Sequence, residues 1–327
     1  SRPAQVIGAF LIAGLACAAA AALDLVTYYT GTGFILDSVR TANYNFLTAT
    51  EMSGMKRIAG TFAEASAFAS YTLPLFAFSA SLWLDRARSV LAGPTAALLL
   101  VALVLSTSAT ALAGLAAVFA ILMGRSIASA MQRPGTMRTA SFGVAAMACA
   151  AVLLALPVVA PLAALEWWEY LQAALFDKAA SSSGQERMLW NMTALQNFID
   201  TNWAGAGLGS ARASSYPLVL LSNIGIGGFI LFALFCVSVL GARTGWASAR
   251  TQEYMDFACA IRAGKAGFAA VLISSALSAT VYDLGLTVYL MAGTVAALSV
   301  ALKVRPEVAF FIERNGDGKE KKVHCCD

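Results

Sequence analysis

Three arginines, a glutamate and a glycine run carry most of the chemistry this sequence offers. From Gly184 to Gly228 the chain reads GQERMLWNMTALQNFIDTNWAGAGLGSARASSYPLVLLSNIGIGG, its longest polar and glycine-rich interval. Ser183 and Glu186 have the spacing of a capping box and predict a helix start there. On that helix Arg187, Trp190, Asn191 and Ala194 share one face. The helix is expected to yield near Asp200 to Gly205, Gly207 and Gly209, whose alternation lets a backbone turn tightly and approach a ligand or another helix. Arg212, Ser214 and Ser215 then lead into an apolar run. Two cations flanking a glycine loop at a membrane boundary suit a phosphate or an anionic sugar, because a guanidinium fork matches phosphate oxygens. The same residues also fit an ordered inter-helix loop with two surface arginines.

The elements that must position these groups are membrane helices. Hydrophobic residues make up 59% of the chain and charged residues 12%, and several runs approach the roughly 20 apolar residues that cross a bilayer. Because the runs are continuously apolar rather than alternating, they predict helices and not a barrel. The expected class is all-α, a polytopic integral membrane protein with about eight transmembrane helices. The spans are placed at 5–28, 61–84, 90–105, 109–123, 139–165 and 216–240, at a seventh ending near Val281, and at 284–302. Residues 1–305 form the transmembrane domain, and 306–327 a polar tail.

Lysine and arginine set the orientation. One set of loops holds Arg2, Arg86, Arg88, Arg125, Arg133, Arg138, Arg243, Arg250, Arg262, Lys265 and the basic tail. The other holds Arg40, Lys56, Arg57, Lys178, Arg187 and Arg212 over two long loops. The first set is expected in the cytoplasm with both termini, and loops 29–60 and 166–215 on the periplasmic face. Trp167, Trp168 and Tyr170 stand where an interfacial aromatic belt belongs. The chain starts at Ser1 and enters an apolar run almost at once, as a piece of a longer protein would, and shows no cleavable signal peptide.

Other chemistries find little support. Cys17, Cys149 and Cys236 sit in apolar runs, Cys259 is placed in a connecting loop, and Cys325, Cys326 and the single histidine, His324, fall in the tail. No zinc-type spacing results, so neither a metal nor a cofactor is expected. No nucleotide-binding glycine loop is present, and nucleic acid is not an expected partner. Glu64 opens the second span, where a carboxylate calls for a function or a partner; capping or snorkelling are the plainer roles. Asp24 and Asp283 are read as turn residues. The pattern Asn191 to Thr193 fits a glycosylation acceptor by form alone.

Arg187, Trp190, Gly205, Gly207, Gly209, Ser210, Ser214, Ser215, Gly225 and Gly228 together resemble the O-antigen ligase and polymerase family of bacterial membrane glycosyltransferases. RIAGTFAEASAFASY, residues 57–71, resembles the arginine, glycine, phenylalanine and glutamate-x-serine segment of exopolysaccharide polymerases. LVLSTSATALAGL at 103–115 is a weaker match. The resemblance implies glycan transfer on the periplasmic face of the bacterial inner membrane, without a metal, from an oligosaccharide on undecaprenyl diphosphate. By that resemblance Arg187 holds the diphosphate, helped by Arg57 and Arg212, and Glu64 orients Arg57 or takes the acceptor proton. Trp190, Gly205, Gly207, Gly209 and Ser214 are the expected substrate-binding residues. Membrane lipid and a chain-length regulator are the implied partners.

This chain departs from the family at two points. Ser214 stands where the ligase branch has histidine, and Ala109 follows Ser108 where an arginine is common. Both departures favour a polymerase of exopolysaccharide or O-antigen repeats over a ligase that moves finished glycan to lipid A. A transporter would carry charge near mid-membrane or paired broken helices, and the span centres hold almost none.

Overall fold

A computed structural model of the chain describes residues 3–36, 38–40, 51–52, 55–85, 87–132, 182–242, 252–304, 312–314 and 320–322. The span expected at 139–165, the aromatic stretch at Trp167, Trp168 and Tyr170, Cys149, His324 and the tail cysteines lie outside the described residues. Eight helices occupy most of what is described: α1 (Pro3–Tyr29), α2 (Ala65–Leu84), α3 (Ala92–Leu105), α4 (Ala109–Gln132), α5 (Ser182–Asp200), α6 (Tyr216–Leu240), α7 (Gln252–Ser278) and α8 (Leu286–Val304). Two small antiparallel pairs complete them, β1 (Glu51–Met52) with β2 (Met55–Lys56) and β3 (Ile312–Arg314) with β4 (Glu320–Lys322).

Six of these helices, α1, α2, α4, α6, α7 and α8, are long and apolar enough to cross a membrane. The helix expected to span at 90–105 falls short. With 14 residues, α3 reaches only about 21 Å at 1.5 Å per residue, against a core of about 30 Å. It ends in the turn Ser106–Thr107–Ser108, which is buried and turns on a left-handed Thr107 at φ 47°.

The core is built around α7 and α2. α7 packs on α2, α8, α4, α6 and α1, while α2 also meets α3, α4 and α1. Small residues make this possible, as the alanine-rich sequence predicts. A Cβ on Gly267 of α7 would stand 2.7 Å from Met291 Sδ on α8, and one on Gly114 of α4 would stand 2.5 Å from Leu73 of α2.

Polar contacts show which helix ends lie together. At one end Asp85 after α2 accepts from Arg125 Nη2 of α4 at 3.1 Å and from Arg262 Nε of α7 at 2.9 Å. Arg125 also donates to Ser81 Oγ at 2.8 Å, and Lys265 Nζ donates to the Ala242 carbonyl just past α6. At the opposite end, hereafter the arginine end, Ser70 of α2 meets Ser278 of α7, their hydroxyls 3.3 Å apart. These contacts correct the placement of Cys259, Arg262 and Lys265 in a connecting loop. All three lie within α7, and Cys259 is buried. The charges of Arg262 and Lys265 read as loop in the sequence and conceal the first turns of the helix, whereas in the fold Asp85 and a helix-end carbonyl meet them.

α6 is broken. Gly225 has φ 66° and ψ −171°, and the segment after α5 fills the gap. The Ala206 N–H donates to Ser222 O at 2.8 Å, the Gly207 N–H to Asn223 O at 2.9 Å, and the Ile226 N–H to Trp203 O at 3.0 Å. Asn223 closes the clasp, accepting from the Ala211 N–H and donating to Ala211 O. Backbone groups freed in a membrane helix need such partners. A Cβ on Gly225 would lie 2.4 Å from the carbonyls of Trp203 and Ala204. Gly225→Ala should therefore cost at least the roughly 1–3 kcal/mol of a forced backbone conformation. Gly227→Ala, with nothing within 4 Å, should melt at or slightly above the wild-type temperature. Equal melting of the two variants in detergent would show that the clasp contributes nothing to stability.

Candidate functional site

The helix predicted from the capping box is α5. Its shared face points as expected: Ala194 is buried, in a small cluster with Ala213, Tyr216, Val219 and Leu220. The Asn191 side chain is spent on the fold, since its Oδ1 accepts from the Ser214 N–H at 2.8 Å. That bond ties α5 to the entrance of α6.

Between these elements lies a cleft of about 370 Å³, lined by Gly184, Arg187, Met188 and Asn191 of α5, by Ser214 and Ser215, and by Ala276 and Leu277 at the end of α7. Its polar lining is one guanidinium, an amide and two serines. Of the expected site residues, Arg187 and Ser214 line it. From the sequence, residues 184–199 are expected as a helix over a cavity bounded by the second and sixth spans; the cleft differs in one wall, which the end of α7 supplies rather than α2. α2 is the inner neighbour of α7, and the end of α7 stands between α2 and the cleft.

Trp190 and Arg212 sit beside the cleft and partner each other, with Arg212 Cζ 3.9 Å from the centroid of the Trp190 ring. Such a cation–π stack holds the guanidinium at a fixed height while its edge stays free to donate. Gly205, Gly207 and Gly209 do not line the cleft. All three have positive φ, at 83°, 103° and 80°. Gly205 lies against the backbone of Asn223 and Gly225, and Gly209 against Tyr282. Of the two uses open to such glycines, ligand approach and helix approach, Gly205 serves the second.

Glu64 and Arg57 belong to a neighbouring cap at the arginine end. Glu64 immediately precedes α2, with extended backbone and no side-chain capping bond; it accepts instead from Ser66 Oγ. Ser70, the α2 contact to α7, lies about 9 Å further along the helix at 1.5 Å per residue. It meets Ser278, the neighbour in sequence of the cleft residue Leu277. Arg57 and Glu64 make no ion pair among the described residues, so Glu64 does not orient Arg57 in this arrangement.

What holds this cap is Asp24, which sequence reasoning reduced to a turn residue. It is 2% exposed. Its Oδ2 accepts the N–H groups of Ala59 and Gly60 at 2.8 and 2.9 Å and Lys56 Nζ at 3.4 Å, and its Oδ1 accepts Arg40 Nη2 at 2.8 Å. Arg40 also donates to the Gly60 carbonyl. Burial pushes the Lys56 ammonium below its ordinary range. Asp24 opposes that shift only in part, and Arg40 and Arg57 add to it. The available signal was an aspartate inside an apolar run, a position that calls for a partner. Asp283 is a turn residue as expected, accepting from the Gly285 N–H at 2.9 Å.

Each end of the bundle has one carboxylate shared by two cations. Arg125 and Arg262 share Asp85, and Arg40 and Lys56 share Asp24. Among the described residues the guanidinium groups of Arg57, Arg187 and Arg212 form no ion pair, and Arg57 Nε is buried without a hydrogen-bond partner. Arg88, Lys265 and Lys303 also form no ion pair among the described residues, so what sets Arg187 apart is its place in the cleft. No group of three or more metal-binding side chains occurs among the described residues.

Fold and composition define a helical, multi-spanning membrane protein. Comparison adds no closer identity: no protein-family model, no curated protein and no solved structure matches the chain.

Proposed function

We propose that this protein is a membrane glycosyltransferase that polymerises oligosaccharide repeat units carried on undecaprenyl diphosphate. Arg187 carries the proposal, a guanidinium without an ionic partner among the described residues, in a cleft at the end of a membrane bundle. A diphosphate bound there would meet its charge in Arg187 and in the Trp190-held Arg212. The acceptor hydroxyl attacks the anomeric carbon of the donor. The new glycosidic bond forms as the bond from that carbon to the phosphate oxygen breaks, and undecaprenyl diphosphate departs with the electron pair. The hydroxyl proton passes to a base, for which Glu64 is the candidate at the same end of the bundle. Ser214, where the ligase branch of the resembled family has histidine, favours polymerisation over ligation. The lysine and arginine distribution favours the arginine end on the outer side, and the family resemblance makes that side the periplasmic face of a bacterial inner membrane.

Purified protein in vesicles, supplied with an undecaprenyl-diphosphate-linked repeat unit, should lengthen the glycan and release one undecaprenyl diphosphate per linkage made. Release without lengthening, with the glycan moved to a lipid A core, would identify a ligase. Turnover of neither kind with repeat units of the native host would remove the enzymatic reading.

A further inference from the structure

α5 has three faces, and the proposed reaction accounts for only one of them. Arg187, Asn191 and Ala194 face the cleft and α6. A second stripe, Glu186, Leu189, Thr193, Gln196 and Asp200, is exposed and polar except at Leu189, and Gln196 Nε2 donates to Asp200 Oδ1 at 2.7 Å along it. The third stripe is Met188, Met192, Leu195 and Ile199, at steps of four, three and four residues that stack on one side of a helix. These four apolar side chains are 64%, 61%, 46% and 51% exposed. A helix with a protein side, a polar side and an apolar side fits a membrane interface, where one flank docks on the bundle, one meets water and one meets lipid.

The neighbours of the stripe place it at that depth. α5 is packed on the first two turns of α6 through Ala194, Tyr216, Val219 and Leu220. α6 breaks at Gly225, so the turns that carry α5 stand apart from the stretch 226–240 that follows the break. Past the break α6 exposes Ile230, Leu231 and Leu234, as a lipid-facing helix does, and just past α5 Trp203 is 61% exposed. Tryptophan favours the headgroup level.

We propose that α5 lies in the membrane interface with its Met192, Leu195 and Ile199 stripe embedded among the lipids of the leaflet at the arginine end. Met188 belongs both to this stripe and to the lining of the cleft, so the cleft opens sideways to that leaflet. A ligand with an anionic head on a lipid tail reaches Arg187 without leaving the membrane. The placement of α5 does not depend on glycan transfer.

Spin labels on introduced cysteines test this in nanodiscs of phosphatidylcholine and phosphatidylglycerol, with Cys149, Cys236, Cys325 and Cys326 replaced by serine and the buried Cys17 and Cys259 kept. Labels at 192, 195 and 199 should collide with oxygen, which concentrates in lipid, severalfold more than with a water-soluble nickel chelate. Labels at 193 and 196 should show the reverse preference. Nickel access on both stripes would place α5 in water and overturn the proposal. So would labels at 192, 195 and 199 that are immobilised and shielded from both reagents, since protein would then cover the stripe, from this chain or from a second copy. Neither readout depends on activity, so failure here leaves the polymerase proposal standing, and the reverse also holds.

Discussion

Arg187→Ala should lower polymer formation by a factor of about 100 to 1,000, the usual cost of removing one fixed donor from developing transition-state charge. Single repeat units should accumulate on the lipid carrier in cells that make the variant at wild-type levels. The size of the effect follows from what leaves in the reaction. A diphosphate takes on charge as the glycosidic bond to it breaks, and bulk water is partly excluded at a membrane boundary. Arg187 faces the cleft without an acidic partner among the described residues, which leaves its field for a ligand. Arg187→Lys should restore only part of the activity, because one ammonium cannot reproduce a planar fork. Glu64 provides a second arm in the same assay. Glu64→Gln still accepts the Ser66 hydroxyl but cannot take a proton. Near-normal polymer from Glu64→Gln would remove the base, and near-normal polymer from Arg187→Ala would remove the site.

Much of this arrangement was legible because it is written in local pattern. Six spanning helices follow from runs of apolar residues, and α5 from a capping box before an amphipathic stretch. The glycines at 205, 207 and 209 announced positive φ. Their purpose was not legible, because it depends on Ser222 and Asn223 offering carbonyls at a break in α6. A glycine within an apolar run reads as helix packing until a second segment is seen inserted beside it. α7 was begun too late because Arg262 and Lys265 look like loop residues when the partner carboxylate, Asp85, is 177 positions from Arg262. The same distance effect concealed Asp24, whose partners are Arg40, Lys56, Ala59 and Gly60. Hydropathy reports the cost of burying a charge, but not the residue that offsets it. The direction of Arg187 was legible for the converse reason, because a local helix face is enough to aim it at the cleft.

Asp24→Ala should be the most destabilising single change in the arginine end, costing about 3–5 kcal/mol, the range for removing one partner of a buried ion pair. It leaves Lys56 and Arg40 without their carboxylate and the N–H groups of Ala59 and Gly60 without an acceptor. Asp24→Asn keeps an oxygen for the two amides but loses the charge-assisted bonds, each worth about 1.5–3 kcal/mol, and should fall between alanine and wild type. The dependence on pH identifies the cause. Lys56 in the fold already titrates below its ordinary value, and Asp24 is the group that holds it up. A base whose folded pKa lies below its unfolded one costs stability while it is protonated, and the cost is relieved as pH rises through the folded value. Without Asp24 that folded value drops further, so the penalty grows and its relief starts at a lower pH. Thermal melts of Asp24→Ala in detergent should therefore approach wild type between neutral pH and about 10, near the unperturbed lysine value. The recovery belongs to Lys56, the lysine that Asp24 holds, and adding Lys56→Met should flatten it. A deficit that stays constant with pH would mean that the lost amide acceptor, rather than the stranded ammonium, is what the fold misses when Asp24 is gone.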